Sequence, residues 1–161
     1  MEKDREENGT ILIVDDEPAN ISLLSKSLRD HYKTKAATDG KKAIRIASSS
    51  ADERPDLILL DIMMPSMDGY EVCRHLKSNE ETKEIPVIFL SGMNSLMDEA
   101  KGLMLGAVDF ITKPIDPLTV KARIRVHLRL AENCKNRERE LLQRIEHLEA
   151  ENAQLKGRQA E

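Results

Sequence analysis

The chain has 161 residues, 34% of them charged, and a formal net charge of −4. That length allows about one domain and a short appendage, and no apolar run approaches the ~20 residues that a membrane span needs. The acidic balance argues against direct nucleic-acid binding, which requires a clustered basic surface.

The first ten residues, MEKDREENGT, carry charge and lack an apolar core, so residues 1–9 read as a charged tail and no signal peptide is expected. Thr10–Val14 (TILIV) is a short β-branched run followed by Asp15 and Asp16. Ile21, Leu24 and Leu28 then recur at helical spacing, and Lys33–Ala37 is a weaker strand candidate. Ala43, Ile46 and Ala47 mark a second helix. Leu57–Leu60 is a third strand that runs straight into Asp61. Tyr70, Val72, Cys73 and Leu76 mark a third helix, Val87–Leu90 a fourth strand ending at Ser91, and Leu96, Ala100 and Leu103 a fourth helix. Ala107–Ile111 is the fifth strand candidate, with Lys113 and Pro114 close behind. Strands alternating with helical patterns imply an α/β fold, a doubly wound parallel sheet covered on both faces, with five β-α units before about residue 127. Continuous apolar runs suit strands buried on both sides. With two Tyr, two Phe and no Trp, the core must be aliphatic. Cys73 and Cys134 lie far apart with no CxxC spacing, which suits reduced thiols in a cytoplasmic protein.

After Pro117 the character changes. From Leu118 to Lys156 there is neither Gly nor Pro, which suits one long helix. Leu141, Ile145, Leu148, Asn152 and Leu155 are spaced four and three apart, as d, a, d, a, d of a heptad. The same frame carried upstream puts Glu138 at a, Cys134 at d, Ala131 at a, His127 at d and Ile124 at a. Residues 129–161 therefore read as a coiled-coil helix, with a single amphipathic helix docked on the domain as the alternative. Asn152 at an a position favours an in-register parallel homodimer, in which the two amides can bond. Arg144 facing Glu149 of a mate, and Glu151 facing Lys156, are attractive only in that arrangement. No basic region precedes the heptads: Glu132 to Glu161 carries seven acidic and six basic residues, so DNA grasping by this helix is not expected.

In an open parallel sheet, ligands bind beyond the carboxyl ends of the strands where strand order reverses. Asp15, Asp16 and Asp61 all fall at such ends and should converge. Like charges so close raise one another's pKa unless a cation sits among them, and a few oxygen ligands with room for water suit Mg²⁺ better than a caged Ca²⁺. Lys113 supplies a point charge for a phosphoryl oxygen and Ser91 a hydroxyl. A carboxylate nucleophile, a divalent ion, a cation and a hydroxyl together fit phosphoryl transfer onto Asp61. Each has a plainer reading: the Asp pair could cap the next helix, Lys-Pro is a common loop dipeptide, and a Ser after a strand usually means nothing.

The stretches ILIVDDEPAN, DLILLDIMMPSMDGYEV, IPVIFLSG and GAVDFITKPID, in that order and spacing, resemble the response-regulator receiver domain of two-component signalling from about Thr10 to Leu128. The resemblance implies a flavodoxin-like sheet of order 2-1-3-4-5 and Asp61 as phosphoacceptor. It implies Mg²⁺ held directly by Asp16, Asp61 and the Met63 carbonyl, with Asp15 acting through water. Lys113 would pair with the phosphoryl group beside a cis bond to Pro114, and Ser91 and Phe110 would be the switch hydroxyl and aromatic. The implied partner is a histidine kinase or phosphotransfer protein, and the implied chemistry is limited to self-catalysed phosphotransfer and autodephosphorylation, so the chain is not expected to be an enzyme. Met63 and Met93 border the implied route of the hydrolytic water, where apolar side chains would slow phosphoryl loss. Two rival functions stand beside the switch: a constitutive coiled-coil dimerisation adaptor, and the regulatory part of a larger enzyme such as a cyclic-dinucleotide enzyme. A haloacid-dehalogenase-type phosphatase fits less well, because its second Asp falls where this chain has Met63.

Overall fold

The computed structural model describes residues 9–92 and 96–160; Met93 lies outside them. Five strands, β1 (Thr10–Val14), β2 (Lys33–Ala37), β3 (Leu57–Asp61), β4 (Val87–Ser91) and β5 (Asp109–Thr112), alternate with helices α1 (Pro18–Leu28), α2 (Gly40–Ala47), α3 (Gly69–Lys77), α4 (Leu96–Met104) and α5 (Pro117–Gln159). All strand pairs are parallel and the order is β2-β1-β3-β4-β5.

Successive residues of a strand point to opposite faces, so each continuous apolar run feeds two cores. Leu12, Val14, Ile58, Leu60, Val87 and Phe89 pack with α2 and α3 residues such as Ala43, Val72 and Leu76. Ile11, Ile13, Leu57, Leu59, Ile88 and Leu90 pack instead with Leu24 and Leu28 of α1 and Val120 and Ile124 of α5. That is why LILL needs no polar alternation.

Helix starts are set by carboxylates. Asp39 accepts from the Lys42 N–H, Asp68 from the Glu71 N–H and Asp116 from the Thr119 N–H, each satisfying an otherwise unpaired amide. The fifth strand begins two residues later than the sequence pattern implies. Gly106 takes φ +101°, the left-handed region that suits glycine, and the Ala107 N–H is held by the Gly102 carbonyl at 3.3 Å. Ala107 therefore belongs to the turn closing α4, and the ladder with β4 begins at Asp109.

The chain divides into two compact units, residues 1–128 and 129–161. In the second, Leu141, Ile145, Leu148 and Leu155 are 43–59% exposed. No helix among the described residues is long and apolar enough to cross a membrane.

Candidate phosphoacceptor and cation site

β3 delivers Asp61 to the carboxyl edge of the sheet, and the side chain stays 3% exposed there. Asp15, at the end of β1, is fully buried, and Asp16 is half-buried. Ligand oxygens of Asp15, Asp16 and Asp61 lie within 4.8 Å of one another. β1 and β3 are hydrogen-bonded neighbours, with Val14 opposite Leu60, so the strand register itself brings the carboxylates together.

Lys113 reaches this cluster from beyond β5. Its Nζ lies 3.2 Å from Asp61 Oδ1 and 3.4 Å from Asp15 Oδ2. The Lys113–Pro114 peptide is cis, as the family resemblance implies, and the Lys113 N–H donates to the Ser91 carbonyl at 2.6 Å. Ser91, the last residue of β4, is fully buried.

Asp15 is held by the loop that leads into α1. Its Oδ1 accepts from the Glu17 N–H at 2.9 Å and its Oδ2 from Asn20 Nδ2 at 3.1 Å. The cap position of α1 is Glu17, whose side chain makes no capping bond, so neither residue of the Asp pair is the cap residue of that helix.

Charge is unbalanced. Three carboxylates face one ammonium, and Asp61 Oδ1 is buried with no hydrogen bond of good geometry, Lys113 being its ion-pair neighbour. Burial, and then the Asp15 carboxylate, push the Asp61 carboxyl up to about 6, against the pull of Lys113 and the Met63 backbone. Burial works against the Lys113 ammonium, but Asp61 and Asp15 together raise its pKa. A hard divalent ion with oxygen ligands fits three clustered carboxylates left with excess negative charge.

Around the site, Phe110 is half-buried, with its ring 6.5 Å from that of Phe89, and Tyr70 meets Phe89 edge-on at 5.5 Å. A Cβ on Gly102 would fall 2.9 Å from the Phe89 ring, so α4 lies against this aromatic row only because it carries no side chain there. The Met63 side chain is 59% exposed.

Sequence reasoning missed two supporting residues. Asn20 fixes Asp15, and its signal was a short polar side chain five residues beyond the first carboxylate. Gly69 is the other: a Cβ there would lie 2.3 Å from the Asp61 carbonyl oxygen, and its N–H donates to the Ile62 carbonyl. The adjoining Asp68, a good cap residue, was its signal.

A doubly wound sheet with clustered carboxylates at its β1 and β3 ends and a lysine beyond β5 is the architecture of a two-component receiver. The chain belongs to the response regulator receiver domain family, whose model matches residues 11–125. It is 49% identical over 119 residues to a probable cyclic di-GMP phosphodiesterase of Vibrio cholerae, covering 74% of this chain and 26% of that protein. It is 46% identical over 116 residues to the response regulator PleD of Caulobacter vibrioides, covering 71% and 25%. The chain thus spans about a quarter of the length of these two relatives. Among solved structures, it is similar to the signal receiver domain of a signal transduction histidine kinase from Syntrophus aciditrophicus, at 39% identity and TM-score 0.67, covering 74% of this chain and 89% of that one.

Proposed function

We propose that this receiver is a phosphorylation switch in which Asp61 accepts a phosphoryl group from a histidine kinase or phosphotransfer protein. The observation that carries the reading is the buried Asp61 carboxylate, clustered with those of Asp15 and Asp16 and 3.2 Å from the Lys113 ammonium. A carboxylate oxygen of Asp61 attacks phosphorus, and the bond from phosphorus to the donor breaks as the new one forms. Asp15, Asp16 and Asp61, with the Met63 carbonyl, would hold Mg²⁺, which supplies charge neutralisation for the phosphoryl oxygens. Lys113 adds a second positive charge, and the Ser91 hydroxyl donates to the phosphoryl group. Asn20 and the Glu17 N–H keep Asp15 oriented.

The switch passes from Ser91 to Phe110, a half-buried ring beside Phe89 that would move inward into the space Ser91 leaves. That motion alters the surface of α4, β5 and α5. From there the signal reaches residues 129–161, which pair with those of a second copy through Leu141, Ile145, Leu148, Asn152 and Leu155. Four of these are exposed leucines or isoleucines, an apolar stripe at heptad spacing that a second helix can cover.

Acetyl phosphate with Mg²⁺, followed by intact mass, tests the reading. Wild type gains one phosphoryl adduct and Asp61→Asn gains none; an unmodified wild type overturns it. A second reading, that the chain regulates a cyclic di-GMP enzyme, is favoured by the probable cyclic di-GMP phosphodiesterase of Vibrio cholerae, of which it matches about a quarter.

A further inference from the structure

The heptad frame of residues 141–155 does not continue unbroken toward the receiver. Carried back in strict sevens, it requires Ile124 at a and His127 at d. Both are already used within the receiver unit. Ile124 is fully buried in the cluster with Val120, Leu24 and Leu28. His127 Nε2 lies 2.8 Å from Asp109 Oδ2, an oxygen that also accepts from Arg123 at 3.2 Å. A side chain packed inside its own domain cannot also be a knob in a partner helix.

Between these positions and Leu141, the strict frame puts half-buried Ala131 at a and the carboxylate of Glu138 at the next a. Two Glu138 side chains facing each other in a parallel pair repel. Leu130, by contrast, is 53% exposed, and it precedes Leu141 by eleven residues. Eleven residues make three turns at about 3.67 per turn, so Leu130 lies on the same face of the helix as Leu141, whereas Ala131 is about 100° further round. Stepping back by four, three and four from Leu141 gives Arg137, Cys134 and Leu130. Arg137 then sits on the seam itself, where its aliphatic stem can pack and its guanidinium can reach Glu138 of the other copy at the edge.

We propose that the surface through which two copies of this chain pair includes Leu130 and shifts frame by four residues between Leu130 and Leu141, rather than following one continuous heptad through Ala131. The occupant of this face is a second copy, in parallel. The attractive Arg144–Glu149 and Glu151–Lys156 pairings and the like-with-like placement of Asn152 single out that arrangement. Such an insertion of four locally unwinds the supercoil, so the segment nearest the receiver is the least tightly wound part of the pair. The inference rests on the proposed pairing and specifies its frame.

Sedimentation equilibrium on the full chain and three variants tests it, with circular dichroism to check helix content. Leu130→Glu is expected to weaken dimerisation about tenfold or more, equivalent to about 1.4 kcal/mol, while Ala131→Glu stays within about twofold of wild type. Equal effects, or a larger one from Ala131→Glu, overturn the frame shift, and loss of pairing in Leu148→Asp shows in the same experiment that the pairing itself stands. A wild type that remains monomeric at every concentration overturns both.

Discussion

Leu59 and Leu148 are the same residue with opposite fates. Leu59, in β3, is fully buried between the sheet and its helices, while Leu148, in the C-terminal segment, is 43% exposed. The same contrast runs through the two units. The receiver folds around two apolar clusters of its own and buries carboxylates too, Asp15 and Asp61. The C-terminal segment buries nothing from residue 132 to 160 and is built almost wholly of surface. One unit carries its strain as charge, which a cation would relieve. The other carries unburied apolar area, which in the proposed pairing a second copy covers.

Removing the receiver's one buried-site cation should show the largest effect. Lys113→Met is expected to slow phosphorylation by acetyl phosphate about a hundredfold, in the range for loss of one preorganised charge partner, as read by the rate of adduct formation. A rate within twofold of wild type would break the assignment of Lys113 to the phosphoryl group.

The charge strain itself is measurable. The Asp61 carboxyl sits at about 6, above its ordinary 3.8. A carboxyl raised in the folded state contributes stability that is present below pH ~4 and is lost as pH rises through about 6. A shift of about two pKa units corresponds to about 3 kcal/mol. In EDTA, Asp61→Asn should therefore exceed wild type in urea unfolding by about that amount at pH 7.5 and converge with it near pH 4. Mg²⁺ should narrow the gap by binding only the folded wild type. Parallel curves across that pH range would show that burial does not strain Asp61.

The smallest effect sharpens the contrast from the other side. Leu148→Asp should remove pairing yet leave the thermal midpoint of the receiver within about 1 °C, because a surface change away from the core is nearly neutral. A drop of several degrees would mean that the receiver depends on its appendage.

Much of the receiver was legible because its chemistry sits at strand ends. An apolar run that stops at a polar residue marks both a buried strand and a candidate site, and Asp15, Asp61 and Ser91 stood out that way, with Lys113 just beyond the fifth strand. The start of β5 did not, since Ala107 and Val108 look like strand and only the left-handed Gly106 converts them to turn. Asn20 left only a weak signal, because its bond to Asp15 depends on the fold of the β1–α1 loop. The C-terminal helix exposes a deeper limit. Periodicity tells which residues share a face but not what covers that face, so Ile124 and His127 fit the heptad frame while packing inside the receiver.

Gly69 has a consequence for how the receiver moves. With no room for even a methyl group between the first turn of α3 and the Asp61 carbonyl, that turn and the end of β3 form a single block. Under the proposed phosphorylation, the backbone that carries Asp61 has no slack toward α3. Any accompanying rearrangement is then expected on the other flank, along β4 and β5, where Phe110 is half-buried. A missing side chain on one side would thus set the direction in which a signal leaves.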